Sequence, residues 1–196
     1  MAEDIYLIRH GLTESNKKKI YAGRSNENLS KEGIDNLLKI GEKLKKLKIE
    51  KILSSPIRRA IQTSEILNTF LKVTIKIEKD FEEMRLGPWE GLSEEQVAIK
   101  FPIEWKIWNS KPSELMLDGR ETLKELQLRA LRGIKDVTNN SDCSRILVVT
   151  HVALIRVLII YYNNLSMDSY RKINIPNCAV YLLNNKDQNK KLIRVL

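Results

Sequence analysis

The sequence predicts an α/β fold: a three-layer α/β/α sandwich around a mainly parallel mixed sheet with an antiparallel edge. Three observations predict it. Short apolar runs alternate with amphipathic stretches along most of the chain, the order that builds parallel strands joined by helical crossovers. The first run, Ile5-Tyr6-Leu7-Ile8, is apolar throughout, as in a strand covered on both faces. The last two runs are linked only by "NNKDQNKK", a hairpin-like connection that sets two strands antiparallel.

Taken in order, Ile5–Ile8 is the first strand and a polar loop, 11–29, follows it. "NLSKEGIDNLLKIGEKLKKL" places Ile34, Leu37, Leu38, Gly41 and Leu44 at helical spacing, with Ser30 as N-cap. "KILSS" is the second strand. The helix opening in "SSPIRRAIQTSEILNTFL" takes Ser55 as its cap and Pro56 in its first turn, where a missing N–H costs nothing. "VTIKI" (73–77) is the third strand. Residues 80–118 carry Gly87, Pro88, Gly91, Pro102 and Pro112 and read as an irregular cap over a site rather than as a linker. A long amphipathic helix, about Glu121 to Val137, leads to the fourth strand, "RILVVT" (145–150). "VALIRVLIIYY" is a buried helix, and "CAVYLL" (178–183) and "KLIRVL" (191–196) are the last strands.

A chain of 196 residues, 42% hydrophobic and 30% charged, suits one domain over 1–196 with a real core. No stretch reaches the roughly 20 apolar residues of a membrane helix, and the start, "MAEDIYLIRHG", lacks the shape of a signal peptide. The default expectation is a soluble cytoplasmic protein with no membrane partner. Cys143 and Cys178 are far apart and form no CxxC, so neither a metal site nor a disulfide framework is expected. The net charge of +9 raises nucleic acid as a partner. The excess is lysine on amphipathic helices, as in "EKLKKLKIEK" (42–51), without the interleaved aromatics that stack bases. A nucleic acid partner is therefore not expected, and the basic field is left to attract small anions.

The chain has only two histidines, His10 and His151, each placed directly after a strand-like run. In an open parallel sheet the ligand crevice lies outside the carboxyl ends of the strands. That rim should bring together Arg9, His10, His151 and Arg59, the last near the start of the helix after strand two. Guanidinium forks match phosphate oxygens, and a helix N-terminus adds unpaired N–H groups. Asn16 offers another donor. So positive a site favours a dianion. Nearby cations hold an imidazole neutral and nucleophilic, and attack on phosphorus would give a phosphohistidine. The second imidazole would stabilise the equatorial oxygens. A leaving alkoxide needs a proton, for which Glu82, Glu83 and Glu90 are the candidates.

These residues resemble the histidine phosphatases, the phosphoglycerate mutase-like superfamily, nearly end to end. "LIRHGLTESN" is similar to the signature R-H-G-x-T-x-x-N, with His10 at the nucleophile's place. "LSSPIRRAIQT" resembles S-S-x-x-x-R-A-x-Q-T, which implies that Arg59 rather than Arg58 holds phosphate. "FEEMRLGPWEG" resembles L-x-E-x-x-x-G-x-W-E-G, which implies Glu83 as proton donor. "DGRETLKEL" and "ILVVTHVALIR" resemble the blocks that precede and carry the second histidine. The implied set is His10, Glu83, His151, Arg9 and Arg59 as catalytic residues, Arg9, Asn16, Arg59 and His151 on phosphate, and Gly23 and Glu83 on substrate, with no cofactor. Four positions depart from the pattern: Val152 and Arg120 replace usual glycines, Asn26 a usual aspartate, and Asn36-Leu37 a usual Gln-Ala.

The resemblance implies either hydrolysis of the phosphohistidine or return of its phosphoryl group. The mutases of the family carry a longer insertion with an arginine pair for a carboxylate and a C-terminal tail, and threonine where this chain has Ala22 before Gly23. Here no arginine lies between Arg85 and Arg120, and the last strand ends the sequence. The expectation is a phosphatase acting on a small phosphorylated metabolite, with cofactor-dependent phosphoglycerate mutase as the alternative and a non-catalytic phospholigand or protein-interaction module as the alternative of another class. "IPNCAVYLL" resembles the α-ribazole phosphatase group; phosphoserine and broad-specificity sugar-phosphate phosphatases are close. A homodimer through a sheet edge is compatible with the sequence but not required by it.

Overall fold

The computed structural model describes residues 1–196. Six strands, β1 (Asp4–Arg9), β2 (Lys51–Ser54), β3 (Thr74–Ile77), β4 (Arg145–Thr150), β5 (Val180–Asn184) and β6 (Leu192–Arg194), form one sheet in the order β3-β2-β4-β1-β5-β6. β3, β2, β4 and β1 are parallel neighbours, β5 runs antiparallel to β1, and β6 antiparallel to β5. Every strand falls inside or within a residue or two of its expected run.

Seven α-helices accompany the sheet: α1 (Glu14–Lys17), α2 (Lys31–Leu44), α3 (Arg58–Leu71), α4 (Glu94–Lys100), α5 (Pro102–Ser110), α6 (Leu123–Asn140) and α7 (Val152–Tyr162). Alternation of side chains along a strand sends neighbours to opposite faces. Ile5, Leu7, Ile146 and Val148 pack with α6 and α7 on one face, while Tyr6, Ile8, Leu147 and Val149 pack with α2 and α3 on the other. The three layers follow from that alternation. α7 buries seven of its eleven residues, so truncating one of them, such as Leu158, to alanine should cost about 2–5 kcal/mol. None of the helices is long and apolar enough to cross a membrane.

α2 forms at the expected spacing and buries Gly33, Leu37, Gly41 and Leu44, while Ile34 and Leu38 are 39% and 44% exposed; Gly41 lets the Phe70 ring approach to where a Cβ would stand. Three local expectations are corrected. α3 starts at Arg58 with Ile57 as N-cap, so Pro56 precedes the helix. Ser55 does not cap it: its hydroxyl receives the Ile57 N–H at 3.3 Å and lies 2.7 Å from His151 Nε2. The 80–118 segment is not irregular. Ser93 and Gln96 form a capping box that starts α4, and Pro102 stands in the first turn of α5, where proline begins a helix instead of breaking it.

Candidate active site

Where β1 ends, the His10 N–H still bonds to the Thr150 carbonyl on β4 at 3.0 Å, so the sheet itself places the imidazole. Nδ1 lies 2.7 Å from the Gly11 carbonyl oxygen. A carbonyl only accepts, so Nδ1 carries the proton and Nε2 keeps its lone pair. That lone pair receives the Arg59 Nε–H at 3.1 Å. Burial, then Arg59 and Arg9, holds the His10 pKa well below the ordinary histidine value.

His151 follows β4 and is the N-cap of α7. Its ring centroid stands 5.1 Å from that of His10, with the planes at 57°. The Ser55 hydroxyl beside Nε2 is fully buried and already accepts the Ile57 N–H. Nδ1 is buried without a partner. Burial first, then Arg59 and His10, keeps this imidazole neutral as well.

Arg59 is only 1% exposed. Besides His10 it donates to the Ser25 carbonyl at 3.0 Å and the Gly23 carbonyl at 2.6 Å. It thus holds the 23–25 loop and the imidazole together. Arg9, the last residue of β1, donates through Nη1 to the Ile175 carbonyl, and its Nε is buried without a partner. Burial lowers its pKa to about 10 while Glu83 opposes the shift, so it remains a cation at neutral pH.

Glu83 is buried, and burial raises its carboxyl pKa against the pull of Arg59 and Arg9. Oε1 accepts the Met84 N–H at 2.8 Å, and the Ala153 N–H in the first turn of α7 also favours the carboxylate. Its segment is held from behind. Arg129 donates to the carbonyls of Asp80 and Glu82 at 2.9 and 3.0 Å and forks onto Glu121, while the Thr150 hydroxyl donates to the Phe81 carbonyl. The "DGRETLKEL" block therefore supports the strand-end rim through Glu121. Of the other candidate acids, Glu82 pairs with Arg24 at 2.7 Å, and Glu90 accepts the Arg24 N–H at 3.2 Å.

Asn16 closes the capping box of α1. Its Oδ1 also receives Asn177 Nδ2 at 2.9 Å, which leaves its own Nδ2 as the group open to a ligand. Gly23 has φ +51°, and a Cβ there would stand 2.2 Å from Glu90 Oε1; its carbonyl is taken by Arg59. Glycine suits both conditions: it adopts this φ without strain and leaves room for Glu90.

Arg9, His10, Asn16, Gly23, Arg59 and Glu83 all line one cleft of about 470 Å³. His151 sits behind them, and Val152 contributes to the wall. A second cavity of about 340 Å³, between α6 and the β2–β3 edge, contains Lys51, Lys76 and Asp80 but no histidine.

Sequence reasoning missed several participants. Asn177 Nδ2 donates to the His10 carbonyl at 3.0 Å as well as to Asn16. Ser55 Oγ lies 2.7 Å from His151 Nε2. Tyr21, Glu94, Arg156 and Arg171 also line the cleft, with Tyr21, Glu94 and Arg171 in mutual contact. The available signal for Asn177 is its polar side chain in the otherwise apolar run "IPNCAVYLL"; Ser55, among Ser54, Arg58 and Arg59, carries no such signal.

The fold and the imidazole–guanidinium rim define an α/β protein with a cationic cleft at its strand ends. Residues 5–195 match the histidine phosphatase superfamily, branch 1, and the chain belongs to that family. The uncharacterized phosphatase PhoE of Bacillus subtilis is 29% identical over 155 residues, 79% of this chain and 75% of that protein. Among solved structures, YhfR of Bacillus stearothermophilus superposes with a TM-score of 0.89 at 22% identity, covering 98% of this chain and 95% of its own. The α-ribazole phosphatase of Shigella flexneri gives 0.85 at 21% identity, with the same coverage. At these identities the structural likeness is one of fold.

Proposed function

We propose that the chain is a phosphatase that hydrolyses small phosphate monoesters through a phosphohistidine on His10. The observation that carries this reading is the state of His10: a buried neutral imidazole, its Nδ1 committed to Gly11 and its Nε2 lone pair facing Arg59 at 3.1 Å. Family membership and the phosphatase name of the Bacillus subtilis relative support it.

In the first step Nε2 attacks phosphorus. The N–P bond forms as the bond to the leaving oxygen breaks, and the Glu83 carboxyl donates its proton to that oxygen. A carboxyl whose pKa is raised by burial is better suited to this donation than an exposed one. In the second step the Glu83 carboxylate takes a proton from water as the water oxygen attacks phosphorus. The N–P bond breaks, and inorganic phosphate and neutral His10 are regenerated. Arg9 and Arg59 bind the phosphoryl oxygens, Asn16 Nδ2 adds a donor, and the unpartnered Nδ1–H of His151 stabilises equatorial charge. The arginines supply the charge that a metal supplies elsewhere, so no metal or other cofactor takes part. Gly23 shapes the substrate end through the close approach of Glu90, and residues 80–118 act as the cap of a single domain.

The substrate is a small phosphorylated metabolite. The test is a panel of phosphomonoesters with and without EDTA, including α-ribazole 5′-phosphate, phosphoserine and the phosphoglycerates. Turnover unaffected by EDTA and abolished in His10→Ala is the expected result. Phosphoglycerate isomerisation that requires a bisphosphate primer would make the mutase reading the correct one.

A further inference from the structure

We propose that the cleft also holds a second anion on the substrate, a carboxylate or a second phosphate carried by the alcohol, with Arg171 as its ligand. The proposal rests on the phosphatase reading and names the substrate class of that same cleft. Besides the residues assigned to phosphate, the lining includes three cations, Lys19, Arg156 and Arg171, against one carboxylate, Glu94. A neutral alcohol gives such a wall hydrogen-bond acceptors but no charge to pair with.

Arg171 is poised and only loosely engaged. Its guanidinium lies over the Trp105 and Trp108 rings, 4.9 and 5.9 Å from their centroids, and such stacking fixes a planar fork at little entropic cost. Its polar contacts are long: 3.4 Å to the Tyr21 hydroxyl and 3.5 Å to Glu94. Both lie at the outer limit of a hydrogen bond. Arg156 differs, since its Nε is committed to the Ile173 carbonyl at 2.8 Å.

An independent feature lies behind the same wall. Arg120 is 6% exposed, and none of its three guanidinium nitrogens has a hydrogen-bond partner. It is held between two indoles, 4.9 Å from the Trp89 centroid and 4.2 Å from that of Trp108. The adjacent carboxylate, Glu121, is forked onto Arg129 instead. A buried cation without a counter-ion is costly, and cation–π contact offsets only part of that cost. Its field, only partly offset by Glu121, reaches Trp108, a residue of the cleft wall. A substrate anion at Arg171 would lie in that field as well.

The test compares kcat/KM for 3-phosphoglycerate and glycerol 3-phosphate, which differ in a carboxylate against a hydroxymethyl group, with glycerol 1,3-bisphosphate as the second-phosphate arm. A preference of about ten- to a hundredfold for an acidic ester, appearing mainly in KM, is the size of one charge-assisted fork. Arg171→Gln should erase the preference. Glu94→Gln should enlarge it, because a competing carboxylate is removed. Whichever acidic ester is favoured identifies the second group as carboxylate or phosphate. Equal kcat/KM for acidic and neutral esters in the wild type, or a preference that survives Arg171→Gln, would overturn the proposal. If no monoester is turned over, the phosphatase reading fails. Tryptophan fluorescence titration with the same esters then decides this inference: tighter binding of the acidic ester that is lost in Arg171→Gln upholds it, and equal binding refutes it.

Discussion

The Nε–H of Arg59 meets Nε2 of His10 at 3.1 Å, so a fully buried cation faces the nitrogen proposed as nucleophile. The same guanidinium reaches the Gly23 and Ser25 carbonyls. A phosphoryl group transferred to Nε2 would take over the Nε–H while the loop contacts stay in place. Arg59→Lys keeps the charge but removes the fork. It should lower kcat/KM by about a hundredfold or more on the scale of lost transition-state donors. Steady-state kinetics of that variant at neutral pH checks this, and a loss below threefold would show that the fork is dispensable.

The pH dependence follows from the directions of three shifts. His10 is held well below the ordinary value, by burial first and then by Arg59 and Arg9, so the acid limb of kcat/KM, which reports the free enzyme, should lie well below pH 6.5. Glu83 is raised by burial, so the basic limb should lie above the ordinary carboxyl range. Stability carries its own signature. A lowered histidine pKa contributes stability that is present above the unfolded value, near 6.5, and lost as pH falls toward the folded value. His10 and His151 both do so, with a slope of up to about 1.4 kcal/mol per pH unit each. Glu83 acts oppositely: its contribution is present below the unfolded carboxyl value and lost as pH rises through its raised folded value. Denaturant titrations between pH 7.5 and 5 should show a shallower slope in His10→Asn. An unchanged slope would mean that His10 is not buried neutral.

Glu83→Gln removes the proton donor and leaves the shape. Turnover of alkyl phosphates should fall by about 10²–10⁴, while p-nitrophenyl phosphate, whose leaving group needs no proton, should lose far less. Equal losses on both esters would assign Glu83 a purely structural role.

Val152 lines the cleft at the first residue of α7, where the family resemblance places glycine. Val152→Gly should raise kcat/KM for bulky esters relative to small ones. The stability cost should stay within about 1 kcal/mol, because the exchange falls at a helix terminus and not in its interior. A specificity ratio that does not move would show that the valine does not restrict access.

Much of this was legible in one dimension. Both histidines follow strands, so the parallel register of β1 on β4, with Arg9 opposite Thr150, fixes their proximity once the strands are recognised. Apolar runs such as Ile5–Ile8 and 152–162 were readable because length separates a buried strand from a buried helix. The 80–118 segment was misread because its glycines and prolines outweighed the Ser93–Gln96 box. What the sequence could not show are partnerships across long separations. The Asn177 bond to Asn16 spans 161 positions, the Arg171 contact with Tyr21 spans 150, and no periodicity encodes either.

The central claim is that phosphate passes through His10. Reaction with a ³²P-labelled monoester, quenched in alkali to preserve the acid-labile N–P bond, followed by peptide mapping, tests it most directly. The account predicts one label per chain, on the peptide carrying His10, absent in His10→Ala and discharged as inorganic phosphate in water. Label on another residue, or hydrolysis that persists in His10→Ala, would contradict it.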